Sequence, residues 1–235
     1  MAKVDIIIPV YHPGHGWIQH LMDQFTEGLN KIHQYTLIIV NDGGPSLPPE
    51  EQQDLKQLQS LSYFDEVIVY EYPQNLGKGH AVRMGIAQGK CEIVIYTDDD
   101  LPYGIDVINL MVKELLNDSE IVLPRRGADY FRSLSIKRRI ISKGLIIMNR
   151  LLMKMKYADT QAGLKGLQRG VSDLIQEGRE NGFLFEVEWI SKAEKKGSSI
   201  VTIPVTIKDK VVPSGVPGGD IRKLFGAYLR LFRSR

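Results

Sequence analysis

Glu92-Ile93-Val94-Ile95-Tyr96-Thr97-Asp98-Asp99-Asp100 is the stretch whose reading decides the fold. Its apolar run does not alternate with polar residues, so the spacing predicts a strand, Glu92–Tyr96, buried on both faces as in a parallel sheet. It then meets three adjacent carboxylates, which repel one another unless water or a cation neutralises them. Alternate residues of extended chain share a side, so Asp98 and Asp100 point together and Asp99 points away. Two convergent carboxylates suit Mg²⁺ or Mn²⁺ held jointly with phosphate oxygens, and a solvated acidic turn is the other reading.

Outward from this stretch the same grammar repeats. Val4–Tyr11, Tyr35–Val40 and Glu66–Tyr72 read as buried strands. Trp17–Lys31, Pro48–Leu61, Gly79–Gln88 and Ile105–Asn117 read as the helices between them, and Ile121–Leu123 as a short strand. Later, Phe183–Lys196 reads as a helix and Ser199–Ile207 as a strand. This alternation predicts an α/β, doubly wound, mostly parallel sheet flanked by helices. Ligands of such sheets bind beyond the carboxyl ends of the strands, where Pro9-Val10-Tyr11, Asn41-Asp42 and Asp98–Asp100 would gather. Before the acidic strand, Asn75-Leu76-Gly77-Lys78-Gly79-His80-Ala81-Val82-Arg83 offers glycines, a helix start and two cations, which suits a diphosphate.

The chain has 235 residues, a net charge of +2 and one cysteine, Cys91, which excludes a disulfide framework and multi-cysteine metal sites and favours the reducing cytoplasm. No signal peptide or membrane-spanning stretch is expected. Charge is unevenly placed: residues 125–156 carry +9, residues 220–235 carry +4, and the remainder carries −11. Both basic segments are amphipathic. In the second, Ile221, Leu224, Phe225, Tyr228, Leu229 and Phe232 fall at helical spacing among arginines. Such a helix gains little by docking on the protein and suits an anionic membrane surface; nucleic acid suits it less, because the few aromatics sit on the apolar face.

In this order, Ile8-Pro9-Val10-Tyr11, Val40 to Gly44, Asn75 to Gly85, Asp98-Asp99-Asp100-Leu101, Arg138 with Ser142, Asp159-Thr160-Gln161-Ala162-Gly163-Leu164-Lys165 and Phe185-Glu186-Val187-Glu188 resemble the family 2 glycosyltransferases of GT-A fold, and among them the polyprenyl- and dolichyl-phosphate glucose and mannose synthases. The resemblance covers residues 4–210 and implies a GT-A-type, Rossmann-like domain over 1–211, followed by a linker, 212–219, and a basic amphipathic helix, 220–235. It implies that Pro9, Tyr11 and Asp42 line the nucleobase site and that Gly77, Lys78 and Arg83 lie near the diphosphate. Asp98 would hold the nucleotide side and, with Asp100, the Mg or Mn ion. Arg126 (or Arg125), Arg138 and Ser142 would bind phosphates, including the acceptor's. Asp159, Gln161, Glu186 and Glu188 would face donor sugar and acceptor. Pro102 stands where relatives carry a Gln able to ligate the metal, Asn41 replaces the first of a usual Asp pair, and no Gln-x-x-Arg-Trp motif is present.

The implied activity is inverting transfer of a hexose from a nucleotide-diphosphate sugar to a polyprenyl phosphate, peripherally on the cytoplasmic face of a membrane. One alternative is sugar transfer to a hydroxyl of a growing glycan, with Glu186 or Glu188 as base. Another is a non-catalytic nucleotide-sugar-binding module.

Overall fold

The computed structural model describes residues 1–182, 184–206 and the positions Gly226, Tyr228, Arg230 and Leu231. In chain order its elements are β1 (Lys3–Val10), α1 (Trp17–Gly28), β2 (Gln34–Asp42), α2 (Pro49–Gln59), β3 (Phe64–Tyr72), α3 (Lys78–Gln88), β4 (Ile93–Thr97), α4 (Ile105–Leu116), β5 (Ile121–Arg126), α5 (Ala128–Ser133), α6 (Ile136–Leu152), β6 (Leu164–Gln168), α7 (Asp173–Gln176), α8 (Phe185–Lys196) and β7 (Ile200–Val205).

Seven strands form one sheet in the order β3-β2-β1-β4-β6-β5-β7. The mostly parallel sheet read from the apolar runs is what forms. β1 pairs in parallel with β2 and β4, β2 with β3, and β5 with β7. Alternation along each strand splits the core into two layers. Ile6, Ile8, Leu37 and Ile39 face α1 and α4, while Ile7, Ile38 and Val40 face α3 and α8. α3 lies close to the sheet because Gly85 lacks a Cβ, which would stand 2.4 Å from Ile7 Cγ2.

β6 is the element that the apolar patterning does not disclose. It runs antiparallel to both β4 and β5. Its reversal carries the preceding loop, residues 159–163, to the edge where the parallel strands end. One strand therefore delivers a distant motif to the Asp98–Asp100 turn.

The terminal segment corrects an expectation. Tyr228 and Leu231 are buried in the layer that holds α8, so the segment does dock on the protein. Tyr228 donates from its hydroxyl to Oδ1 of Asn149 at 2.6 Å. The linker 212–219 and the remaining positions of 220–235 lie outside the described residues. Tyr228→Phe should cost about 1–3 kcal/mol, because it strands a buried amide oxygen. Urea unfolding measures this, and an unchanged midpoint would show that the docking is not there in solution.

Candidate active site

The Asp98–Asp100 turn follows β4 directly. Leu101 N–H donates to Asp98 C=O at 3.1 Å and closes the turn. Leu101 takes a φ of 44° while buried, a left-handed conformation costly for a side chain of that size. Gly163 supports the turn from β6's side: its C=O accepts from Asp98 N–H at 3.0 Å, and an added Cβ would strike the Asp98 carboxylate.

The three acids have different surroundings. Asp98 accepts a charge-assisted bond from Lys78 Nζ. Burial, and then Asp98 and Lys78 acting in opposite senses, leave Asp99 above its ordinary carboxylate pKa. Asp100 is pushed up to about 6, first by burial and then by Asp98 and Asp99, and its Oδ1 is buried without a hydrogen-bond partner. An acceptor oxygen left unpaired beside two other carboxylates fits a cation. Among the described residues no group of three or more His, Cys, Asp or Glu is placed to hold a metal ion. A divalent ion on Asp100 and Asp98 would therefore draw its other ligands from phosphate oxygens and water.

Lys78 opens α3, with its side chain one-third exposed at 33%. Burial works against its ammonium, but Asp98, Glu186 and Asp100 outweigh that and raise its pKa. The glycine-rich segment before it is pinned from below by Asp42. Its Oδ1 accepts from the Tyr72 hydroxyl at 2.8 Å and from Leu76 N–H at 2.7 Å, and its Oδ2 accepts from Gly77 N–H at 2.9 Å. Both oxygens of Asp42, the residue expected at the nucleobase site, thus hold the 75–77 segment. Pro9 and Tyr11 end β1 at the same edge; Tyr11 is exposed and meets the His12 ring edge-on at 4.3 Å.

Arg83 and Glu188 organise a second loop. Arg83 donates to Asn181 Oδ1 and to Glu180 C=O. Glu188 accepts from the N–H groups of Arg179 and Glu180, each at 2.9 Å, and from Lys192 Nζ at 2.8 Å. Burial disfavours the Glu188 carboxylate, yet these donors lower its pKa. Asn181 C=O in turn takes Gly79 N–H at 2.8 Å. Hence Arg83 and Glu188 fix the loop against which the α3 N-terminus rests.

Glu186 is buried and answers a cation that the sequence did not single out. Its Oε1 accepts from Lys165 Nζ at 3.0 Å and from the Tyr96 hydroxyl at 3.3 Å, and Trp189 Nε1 donates to the same hydroxyl at 3.2 Å. Lys165 is wholly buried and also donates to the carbonyls of Thr160 and Ala162. Burial, aided by Lys78 and opposed by Glu186, lowers its pKa. A lysine between Leu164 and Gly166 in a buried strand demands an acid partner, and that is the signal that would have found it.

Arg126 and Asp159 meet although they stand 33 positions apart in the sequence. Arg126 Nε donates to Asp159 Oδ1 at 3.0 Å, and a second guanidinium nitrogen reaches the same carboxylate. NH1 donates to the Tyr130 hydroxyl at 2.9 Å. Of the two arginines, Arg125 is exposed and Arg126 is buried. Gln161 donates to Thr160 Oγ1 at 3.1 Å in the same loop. Arg138 and Ser142 lie one turn apart on α6, Arg138 exposed and Ser142 half-buried.

A family model described as "Glycosyl transferase family 2" matches residues 5–173. A dolichol-phosphate mannosyltransferase of Pyrococcus furiosus is 26% identical over 211 residues, which is 87% of this chain and 56% of that protein. A dolichyl-phosphate beta-glucosyltransferase of Trichomonas vaginalis is 24% identical over 185 residues, 76% of this chain and 56% of that protein. The chain thus spans just over half the length of these curated relatives. Among solved structures, glucosyl-3-phosphoglycerate synthase from Mycobacterium tuberculosis, crystallised with Mn²⁺, uridine diphosphate and phosphoglyceric acid, superposes with a TM-score of 0.53. It has 13% identity, with 97% of this chain and 75% of that chain covered. That likeness speaks to the fold.

Proposed function

Because the chain belongs to glycosyl transferase family 2, we propose that it moves a hexose from a nucleotide-diphosphate sugar to a polyprenyl phosphate, with inversion at the anomeric carbon. One observation carries the choice of a phosphate over a hydroxyl acceptor. A hydroxyl needs a carboxylate base, and both candidates are committed: Glu186 to Lys165 and Tyr96, Glu188 to two backbone N–H groups and Lys192. A phosphate is already anionic near neutral pH and needs no such base.

The remaining requirements are in-line positioning and neutralisation of the departing diphosphate. Asp100 and Asp98 are the residues to hold Mg²⁺ or Mn²⁺, which when bound supplies positive charge to the diphosphate oxygens. Lys78 supplies a second cation at the same place. Arg138 and Ser142, sharing a face, suit the acceptor phosphate, since a guanidinium binds two oxygens at once. The likeness to a dolichol-phosphate mannosyltransferase and a dolichyl-phosphate beta-glucosyltransferase supports this acceptor class.

The test is a panel of nucleotide-diphosphate hexoses with polyprenyl phosphate and Mn²⁺ or Mg²⁺, read by product chromatography. A polyprenyl-phosphate hexose is expected. Transfer only to hydroxyl acceptors would overturn the assignment, and no turnover with any donor would favour a binding module. In the active system, Arg138→Ala should raise the acceptor KM by about tenfold and the donor KM far less. Equal rises in both would remove Arg138 from the acceptor site.

A further inference from the structure

The loop 158–163 carries Asp159 and Gln161 and ends at Gly163, whose C=O accepts from Asp98 N–H at 3.0 Å. A loop in that place has to be held from behind, and its backbone groups that face the core can be satisfied only by other polar groups. Two side chains do this. Lys165 Nζ donates to Thr160 C=O at 2.9 Å. Asn149 Nδ2 donates to Ala158 C=O at 2.8 Å and to Thr160 Oγ1 at 3.4 Å.

Asn149 sits near the end of α6 and is 1% exposed. A carbonyl only accepts, so the amide nitrogen must face Ala158 and the amide oxygen is left for another donor. That donor is in the terminal segment: the Tyr228 hydroxyl reaches Oδ1 at 2.6 Å. Tyr228 is 2% exposed and Thr160 0%, so the row Tyr228, Asn149, Thr160 is shut off from solvent. Leu145, Met153, Met155 and Ala158 share its buried apolar layer. The same segment reaches the other loop that frames the site. Arg230 Nε lies 3.8 Å from Glu180 Oε1, and Glu180 C=O receives Arg83. That ion pair is long and its arginine is exposed, so the buried hydroxyl is the stronger link.

We infer that Tyr228 and Asn149 are positioning residues, through which the terminal segment holds the 158–163 loop against the Asp98–Asp100 turn. Tyr228 fixes the amide, the amide fixes Ala158 and Thr160, and Gly163 carries that placement to Asp98. That these residues set the rate of transfer rests on the transferase reading; that they set the order of the loop does not.

The test is hydrogen exchange read by mass spectrometry on the full chain, without donor, acceptor or metal. Tyr228→Phe keeps the ring and removes the hydroxyl alone. Amides of 158–164 should exchange about tenfold faster, while α1 and α2, in the other layer, keep the parent's rates. Asn149→Leu, of similar size, should give the same pattern, and adding Tyr228→Phe to it should give nothing more. Should Asn149→Leu not fold, the pattern in Tyr228→Phe decides alone. An unmoved 158–164 segment would overturn the inference. So would equal acceleration along the whole chain, which marks a merely structural bond, or additive effects of the two changes. In the active system Tyr228→Phe should lower kcat by about tenfold and move the acceptor KM by less than about twofold, because Arg138 and Ser142 are not on the loop. A rise in acceptor KM with kcat unchanged would also overturn it. If exchange rises in the loop and the parent turns over no donor, only the transferase reading falls; if the parent transfers and the loop's exchange is unmoved in the variant, only the positioning role falls.

Discussion

Asp100→Asn is expected to lower transfer by about a thousandfold while making the metal-free protein more stable near pH 7.5. The loss follows from the role proposed for this carboxylate: removing one preorganised charge from the departing group costs on the order of 10²–10³ in rate, and here a bound cation would leave with it. The gain follows from the state of the carboxylate. Burial and the neighbouring acids raise its pKa from 3.8 to about 6. Between those values the folded protein holds a proton that the unfolded chain has released. Stability contributed by this group therefore falls as pH rises through that window, and the penalty is complete above pH 6. A two-unit shift corresponds to about 3 kcal/mol, which partial exposure reduces to about 1–2 kcal/mol. Thermal melts should place the variant a few degrees above the parent at pH 7.5 and level with it near pH 4. Mn²⁺ should raise the melting temperature of the parent and not of the variant. Full transfer activity in Asp100→Asn would remove the cation from this turn.

The sheet and the polar edge at its strand ends are legible because buried parallel strands announce themselves. Val4–Tyr11, Tyr35–Val40 and Glu92–Tyr96 are too apolar to lie anywhere else, and the polar residues at their carboxyl ends then share one rim by topology. β6 was not legible. Leu164-Lys165-Gly166-Leu167-Gln168 has neither an apolar run nor clean alternation, because Lys165 points inward to Glu186 and Gly166 makes room for Leu115 and Met111. The same cause hid the roles of Asp42, Arg83 and Glu188. Their partners are largely backbone groups, in the 75–77 and 179–181 segments, and a backbone N–H leaves no mark on sequence. The resemblance places these residues at the site, and the geometry adds that they hold the loops around it. The terminal segment failed for another reason: periodicity reports that a helix has an apolar face, not whether lipid or protein meets it, and Tyr228 with Leu231 meet protein.

Lys165→Met should destabilise the protein by about 3–5 kcal/mol, the usual consequence of stranding one member of a buried ion pair. Its side chain is 0% exposed and that of Glu186 is 7% exposed. Without the ammonium, Glu186 keeps, among the described residues, only the long bond from Tyr96, and the carbonyls of Thr160 and Ala162 lose the lysine donor as well. Adding Glu186→Gln should restore most of the loss, because a neutral amide tolerates burial that a carboxylate does not. Glu186→Gln alone should cost less than Lys165→Met. The lysine can shed its proton and still donate to both carbonyls, and burial already biases it that way. The sign of the pH dependence separates the two single variants. With Glu186 neutral, the folded state binds fewer protons than the unfolded chain, so the stability of Glu186→Gln should rise between pH 7 and pH 9. Urea midpoints at those two pH values decide it. A Lys165→Met protein as stable as its parent would mean that Glu186 is solvated rather than locked, and it would return that carboxylate to candidacy as the base for a hydroxyl acceptor.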